Sequence, residues 1–220
     1  MLLPGWLRAR VPTRLRDDPR LRALAVGGGL IPQRAMHSPE DMAVLLATAR
    51  SARSVVEIGV YEGGSAVELC AVLTQACELH LVDPFGRRPT ALPAGWGATE
   101  WASRRVVARA SRHGGPRVCW HVAPSAEVAA HWTEEVDLVF VDGDHSEEGC
   151  ELDWLLWHEH VRLGGHVVFH DARLDQPGGR GLPGPTAVVE RLRATMPAGW
   201  RLTAEADRTV ALRRVDSTPL

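Results

Sequence analysis

Apolar residues along this chain fall into two rhythms that take turns. Short, mostly apolar runs rich in valine, leucine and isoleucine occur at 54–58, 78–83, 117–122, 136–141 and 167–169. Bounded by glycine, proline or charged residues, such runs read as buried strands. Between them apolar residues recur every three or four positions, as at Cys150, Trp154, Trp157 and Val161, the stripe of an amphipathic helix. Helices are predicted over 39–49, from Ala66 onward, over about 99–111, briefly after Pro124, from about Ser146 until Gly164 and Gly165 end it, and over 186–194. Ser38 is the predicted N-cap of the first, with Pro39 at N1 and Glu40 and Asp41 complementing the dipole. The runs 200–204 and 209–213, split by a short polar turn, predict an antiparallel hairpin. Strands alternating with helices pair in parallel and are covered on both faces. The expected fold is α/β, a single doubly wound, mostly parallel seven-stranded sheet with a terminal antiparallel hairpin.

The central strand stops at a glycine turn holding Gly59, Tyr61, Gly63, Gly64 and Ser65, and a helix restarts at once. A strand feeding a helix through glycines leaves unpaired N–H groups at the positive end of the helix dipole, a ready site for a polar or anionic ligand. A dinucleotide fingerprint needs a small residue where Tyr61 stands, so that the pyrophosphate can approach the backbone. The ring argues against a pyrophosphate, and so against an NAD-dependent oxidoreductase, but leaves room for a ligand without phosphates. S-adenosylmethionine, an adenosine joined to a sulfonium amino acid, is one. Glu57 at the strand end would face its ammonium, and Asp83 after the next strand its ribose hydroxyls. Each has a plainer reading, a satisfied acid beside an ordinary strand–turn–helix.

Composition narrows the class. The chain has 220 residues, is 45% hydrophobic and carries a formal charge of −2, which suits one globular domain and argues against nucleic acid as the partner. Arg8, Arg10, Arg14, Arg16, Arg20 and Arg22 do make the first segment basic, with apolar residues between them and Asp17 and Asp18 offsetting some charge. Residues 1–37 are expected to form a helical segment packed on the main domain, 38–220, or on a second subunit in a homodimer, with a hinge at Gly27 to Gly29. Cys70, Cys77, Cys119 and Cys150 form no closely spaced pair and are expected reduced, as in a cytoplasmic protein. No run reaches membrane-spanning length. The Gly- and Pro-rich stretches 84–97 and 176–185 are candidate lid or substrate loops.

The fourth strand ends in Asp142, Gly143, Asp144 and His145, and the fifth in His170 and Asp171. Asp144 with Glu147 fits a capping box, and His158, His160 and His166 read as surface or strand-end residues. With the glycine turn, Asp83 and Ser125, these strand ends resemble the class I S-adenosylmethionine-dependent methyltransferases, which have a Rossmann-like fold. The similarity spans roughly 38–213 and is greatest to the catechol O-methyltransferase type and the metal-dependent sugar O-methyltransferases of antibiotic pathways. The resemblance implies that Glu57, Gly59, Tyr61, Gly63 and Ser65 line the methionine part of the cofactor, that Asp83 holds the ribose, that Ser125 and Ala126 meet the adenine, and that Asp142 lies beside the sulfonium. It also implies a divalent cation, Mg, Mn or similar, on Asp142 and Asp171, and a base at His145. The related enzymes carry two oxygen donors after the fifth strand, whereas this chain has His170 before Asp171. Imidazole suits Mn, Fe or Zn better than Mg, so His170 is a possible third ligand.

Methyl transfer is an in-line displacement, and the acceptor must present an unprotonated lone pair. A cation on Asp142 and Asp171 would acidify a hydroxyl while His145 takes its proton, whereas an amine needs only a base. Trp96, Trp101, the two loops and the clustered acids suggest a small polar acceptor, a sugar or aminosugar of a natural product such as an aminoglycoside. Asp142, His145 and His170 also match a two-His-one-carboxylate iron site, an oxygenase reading that leaves the Tyr61 turn unexplained.

Overall fold

The computed structural model describes residues 18–34, 36–86, 96–174 and 180–216, without the side chains of residues 96–98. Arg8, Arg10, Arg14 and Arg16, the centres of both Gly- and Pro-rich loops and the Trp96 side chain lie outside the described residues.

Seven strands form one sheet in the order β3-β2-β1-β4-β5-β7-β6. They are β1 (Ser54–Ile58), β2 (Glu78–Val82), β3 (Arg117–His121), β4 (Val136–Val141), β5 (Val161–Phe169), β6 (Trp200–Ala206) and β7 (Thr209–Arg214). The first five are parallel, and β7 enters antiparallel between β5 and β6. The helices are α1 (Pro19–Gly27), α2 (Pro39–Ala49), α3 (Gly64–Val72), α4 (Trp96–Ala110), α5 (Ser125–Ala129), α6 (Glu147–Trp157) and α7 (Pro183–Ala194). The expected α/β sheet and closing hairpin are therefore present.

All six residues of β4 are buried, as are four of the five in β1, because helices cover both faces. One core holds Leu45, Leu69, Leu79, Val107 and Phe140, and the other Val139, Val141, Trp154, Trp157 and Val189. β1 pairs with β2 on one side and β4 on the other, so the chain reverses its winding there. The carboxyl ends of β1 and β4 flank that reversal, where an open α/β sheet leaves its crevice.

Several boundaries differ from expectation. α6 stops at Trp157, a single 3-10 turn follows at His158–His160, and β5 already begins at Val161. Gly164 and Gly165 lie within the strand and do not end the helix. A Cβ on Gly165 would stand 2.8 Å from the Asp137 carbonyl oxygen, so glycine lets β5 close on β4 where the register shifts between Val136 and Leu138. Ser146, not the Asp144–Glu147 pair, caps α6, its Oγ accepting the Gly149 N–H at 3.0 Å. Asp144 instead accepts the Ser146 N–H at 2.9 Å. α7 starts at Pro183, earlier than the predicted 186, with proline in its first turn.

Gly27 to Gly29 is a packing joint where a hinge was expected. A Cβ on Gly27 would meet the Trp101 ring at 2.2 Å, and Arg109 Nη1 donates to the Gly27 carbonyl at 2.8 Å, satisfying the carboxyl end of α1. Asp18 caps the other end, accepting N–H groups of Arg20 at 2.9 Å and Leu21 at 3.0 Å. Arg22 is not a solvated charge: its Nε and Nη2 grip Glu62 at 2.5 and 2.7 Å, and Glu62 also accepts the Arg34 N–H at 2.7 Å. The segment before the sheet is thus pinned to the glycine turn itself.

Candidate active site

β1 ends where it touches both neighbours. The Gly59 N–H donates to the Val82 carbonyl at 2.9 Å, and the Asp142 N–H to Ile58 at 2.9 Å. Gly59 has φ 89°, and a Cβ there would stand 2.2 Å from the Asp142 carbonyl oxygen, so no other residue fits. Tyr61, although not glycine, is also left-handed at φ 50°. It is held there from both ends: its N–H donates to Asp83 Oδ2 at 3.0 Å, and its carbonyl accepts the Ser103 hydroxyl. Asp83 Oδ2 takes the Val60 N–H as well, at 2.8 Å, and Oδ1 that of Phe85 at 2.7 Å. Asp83 is therefore the brace of the turn. Burial pushes its carboxyl up, against the pull of those three N–H groups.

Glu57 lies beneath the turn, fully buried. The Ser65 hydroxyl donates to Oε1, while Oε2 has no hydrogen-bond partner among the described residues. Burial, against the Ser65 bond and with help from the Asp142 and Asp83 charges, pushes Glu57 up to about 8. Gly63, left-handed at φ 80°, precedes α3, and no side chain among the described residues caps the first N–H groups of the helix. Ser125 opens α5, but its Oγ accepts the Trp157 indole N–H at 2.7 Å. Ala126 follows it in the same turn.

The second group gathers at the ends of β4 and β5. One donor atom each from Asp142, His145, His170 and Asp171 lie within 4.8 Å of one another. His170 Nδ1 is 2.8 Å from Asp142 Oδ1 and 3.5 Å from Asp171 Oδ2, and His145 Nε2 is 3.3 Å from Asp171 Oδ2 and 3.6 Å from Asp142 Oδ1. Asp171 is left-handed at φ 53°, a strained position for a non-glycine residue. Its carbonyl accepts the Leu182 N–H at 2.7 Å, and a Cβ on Gly181 would meet that carbonyl at 2.4 Å. The start of α7 thus locks the aspartate in place.

Three neighbours of this group were not singled out from the sequence. His37 Nε2 lies 3.0 Å from Asp142 Oδ2, and its ring lies 4.3 Å from that of His170. Asp41, read only as a dipole partner, is buried; it closes a capping box on Ser38, accepts Thr209 Oγ1 at 2.8 Å and lies 3.6 Å from His170 Nε2. Arg208 Nη1 reaches Asp171 at 3.1 Å. No motif marks these residues; the available signal was an acid, a histidine and an arginine whose burial only the fold reveals.

Protonation follows from this packing. Burial alone would raise Asp142, but His145 at 3.6 Å and the hydrogen-bonded His170 and His37 overcome it and hold the carboxyl well below its usual range. Asp142 and then Asp171 hold the His145 proton, pushing it up to about 10. Burial works against His170, yet its hydrogen bond to Asp142 and the nearby Asp41 carboxylate push it up to about 9. In the free chain His145 is thus an acid at neutral pH, not the ready base expected from its position. Two imidazolium groups and Arg208 balance Asp41, Asp142 and Asp171. The N2O2 donor set also fits a divalent transition ion, provided both imidazoles release their protons.

Comparison with known proteins agrees with this layout. A family model described as a methyltransferase domain matches residues 56–172, just over half the chain, from β1 past Asp171. The O-methyltransferase TomG from Streptomyces achromogenes, involved in tomaymycin synthesis and solved in complex with S-adenosylmethionine, is 18% identical with TM-score 0.60, over 96% of this chain and 95% of that one. An O-methyltransferase from Bacillus cereus, solved with S-adenosylhomocysteine, is 14% identical with TM-score 0.58, over 95% and 94%. CalS11, a TDP-rhamnose 3'-O-methyltransferase of calicheamicin biosynthesis, is 17% identical with TM-score 0.55, over 94% and 85%. Among the described residues no helix is long and apolar enough to cross a membrane. With its glycine turn and the strand ends through Asp171 inside the matched region, the chain belongs to the methyltransferase domain family, as a class I S-adenosylmethionine-dependent methyltransferase.

Proposed function

We propose that the protein transfers a methyl group from S-adenosylmethionine to a hydroxyl of a small polar natural product, a sugar or aminosugar. The observation that carries this reading is the placement of His145 within 3.3–3.6 Å of both Asp171 and Asp142, at the strand ends beside the glycine turn. The free Oε2 of Glu57 would take the cofactor's ammonium, the α3 N–H groups its carboxylate, and Asp83 its ribose. Holding two reactants in line is worth roughly 7–11 kcal/mol, so most of the rate comes from this placement. His145 accepts the acceptor's proton only when Asp142 and Asp171 no longer hold its own. Asp142, Asp171 and His170 would hold the divalent ion, which would draw the two carboxylates off the His145 proton and acidify a bound hydroxyl. The sugar assignment is supported by the similarity to CalS11 and by the polar surroundings of Asp142.

The iron-oxygenase reading has one observation in its favour, the convergence of Asp142, His145 and His170. It gives Glu57 and the Tyr61 turn no task, and the family assignment counts against it. An NAD-dependent oxidoreductase is likewise disfavoured by the Tyr61 ring. The test is transfer of labelled methyl to a panel of sugars and aminosugars, with and without chelator. Hydroxyl transfer should stop on chelation, and transfer that continues unchanged would remove the metal and point to an amine acceptor. His145→Ala should slow the chemical step while S-adenosylhomocysteine affinity stays unchanged; a large loss of affinity would refute its role.

A further inference from the structure

Among the described residues β3 is an edge strand whose only sheet partner is β2. The parallel register sets Glu78 beside Arg117 and His80 beside Cys119, with His121 next along β3. Strand alternation turns Glu78, His80, Cys119 and His121 to one face of the sheet. One carboxylate oxygen of Glu78, one ring nitrogen of His80 and the Cys119 sulfur lie within 4.8 Å of one another.

His80 gives this cluster a built centre. It is 6% exposed, and its Nε2 is buried with no hydrogen-bond partner among the described residues, 3.5 Å from Glu78 Oε2. Its other nitrogen, Nδ1, lies 3.1 Å from His121 Nε2. A proton on Nδ1 shared with His121 leaves Nε2 as a bare lone pair, aimed where the Glu78 oxygen also points. Trp132 closes over the face, its ring 4.7 Å from His80 and 5.7 Å from His121. Arg117 engages Glu78 through Oε1 and leaves Oε2 turned toward His80.

We propose that Glu78, His80 and Cys119 form a site for a soft divalent transition metal, Zn2+ being the ion their sulfur, nitrogen and oxygen donors suit, with His121 as the positioning residue that orients His80. Mg2+ and Ca2+ prefer all-oxygen shells and would be rejected. Three protein donors leave a fourth position for water, as tetrahedral zinc requires. Binding converts the Cys119 thiol to thiolate, and its proton leaves to solvent. The bound ion clips the edge strand β3 to β2 from a set of residues separate from the Asp142 cluster.

Cobalt separates the two clusters, since the Asp142 group contains no sulfur. Titration of the full chain with Co2+ should produce a thiolate-to-metal charge-transfer band that saturates and is displaced by Zn2+. Cys70, Cys77 and Cys150 are buried, and burial pushes each thiol up to about 12, so they should not contribute. Cys119→Ser should abolish the band, and His121→Ala should keep it while weakening Co2+ about 10–100-fold. In the unmutated chain, Zn2+ should slow alkylation of Cys119, located by peptide mass, by about tenfold or more. No band at saturating Co2+, a band that survives Cys119→Ser, or alkylation indifferent to Zn2+ would overturn the site. An unchanged affinity in His121→Ala would overturn the role of His121.

Discussion

Cofactor binding should expel a proton, and Glu57 is where it comes from. In the free chain this carboxyl is pushed up to about 8 by burial, against the hydroxyl of Ser65 and with the Asp142 and Asp83 charges adding to the rise. At pH 7 about nine chains in ten therefore hold it neutral. A cofactor ammonium set against the unpartnered Oε2 favours the charged form, so binding should release close to one proton at that pH. Calorimetry in two buffers of different ionisation enthalpy reads this number from the slope of apparent heat against buffer heat. Glu57→Gln keeps an acceptor for Ser65 but cannot ionise. Its slope should fall to about zero, and losing a charged hydrogen bond worth about 1.5–3 kcal/mol should weaken S-adenosylhomocysteine about 10–150-fold. The same substitution changes stability with a defined sign. A carboxyl raised from its ordinary value of 4.5 to about 8 contributes stability that is fully present below 4.5 and is lost as pH rises toward 8. The whole difference is roughly 5 kcal/mol at most, so denaturant midpoints of the free chain should fall across that window and Glu57→Gln should flatten the fall. A flat proton slope in the unmutated chain, with equal affinity in Glu57→Gln, would refute the reasoning.

Three further outcomes follow from the geometry. Mn2+ binding to the Asp142 cluster competes with the protons on His145 and His170, held at about 10 and about 9, so its affinity should climb steeply between pH 6 and 8, up to about 100-fold per unit for two displaced protons; paramagnetic titration checks this, and a pH-independent affinity would contradict it. Gly59→Ala places a Cβ 2.2 Å from the Asp142 carbonyl at φ 89° and should cost about 2–4 kcal/mol with loss of cofactor binding, read by melting and calorimetry. Arg22→Ala strips the buried Glu62 carboxylate, part of the turn, of its bidentate partner and should cost about 3–5 kcal/mol, seen as a lower denaturant midpoint with an unchanged slope.

What the sequence disclosed and what it withheld divide along the range of the interactions concerned. Alternating runs and helical stripes depend on neighbours a few positions apart, and they place the sheet, the closing hairpin and the Ser38 cap. The glycine turn was legible for the same reason, since its spacing is local even though Gly59 is demanded by a carbonyl from β4. Boundaries failed where a distant contact decided them: Val161 fits a helical stripe, but β4 captures it into β5, and Gly165 follows because Asp137 stands in the way of any Cβ. The candidate site shows the same limit more sharply. Asp142, His145, His170 and Asp171 follow two strands and could be named in order along the chain. His37 and Arg208, which stand beside Asp142 and Asp171 in the fold, lie far from them in the chain and belong to no motif. The protonation of His145 is decided by that same company: one imidazole between two carboxylates holds a proton, whatever its position after the strand would suggest. A sequence can therefore name the group that takes part in the chemistry, while the charge that group carries is a property of residues the fold brings from elsewhere.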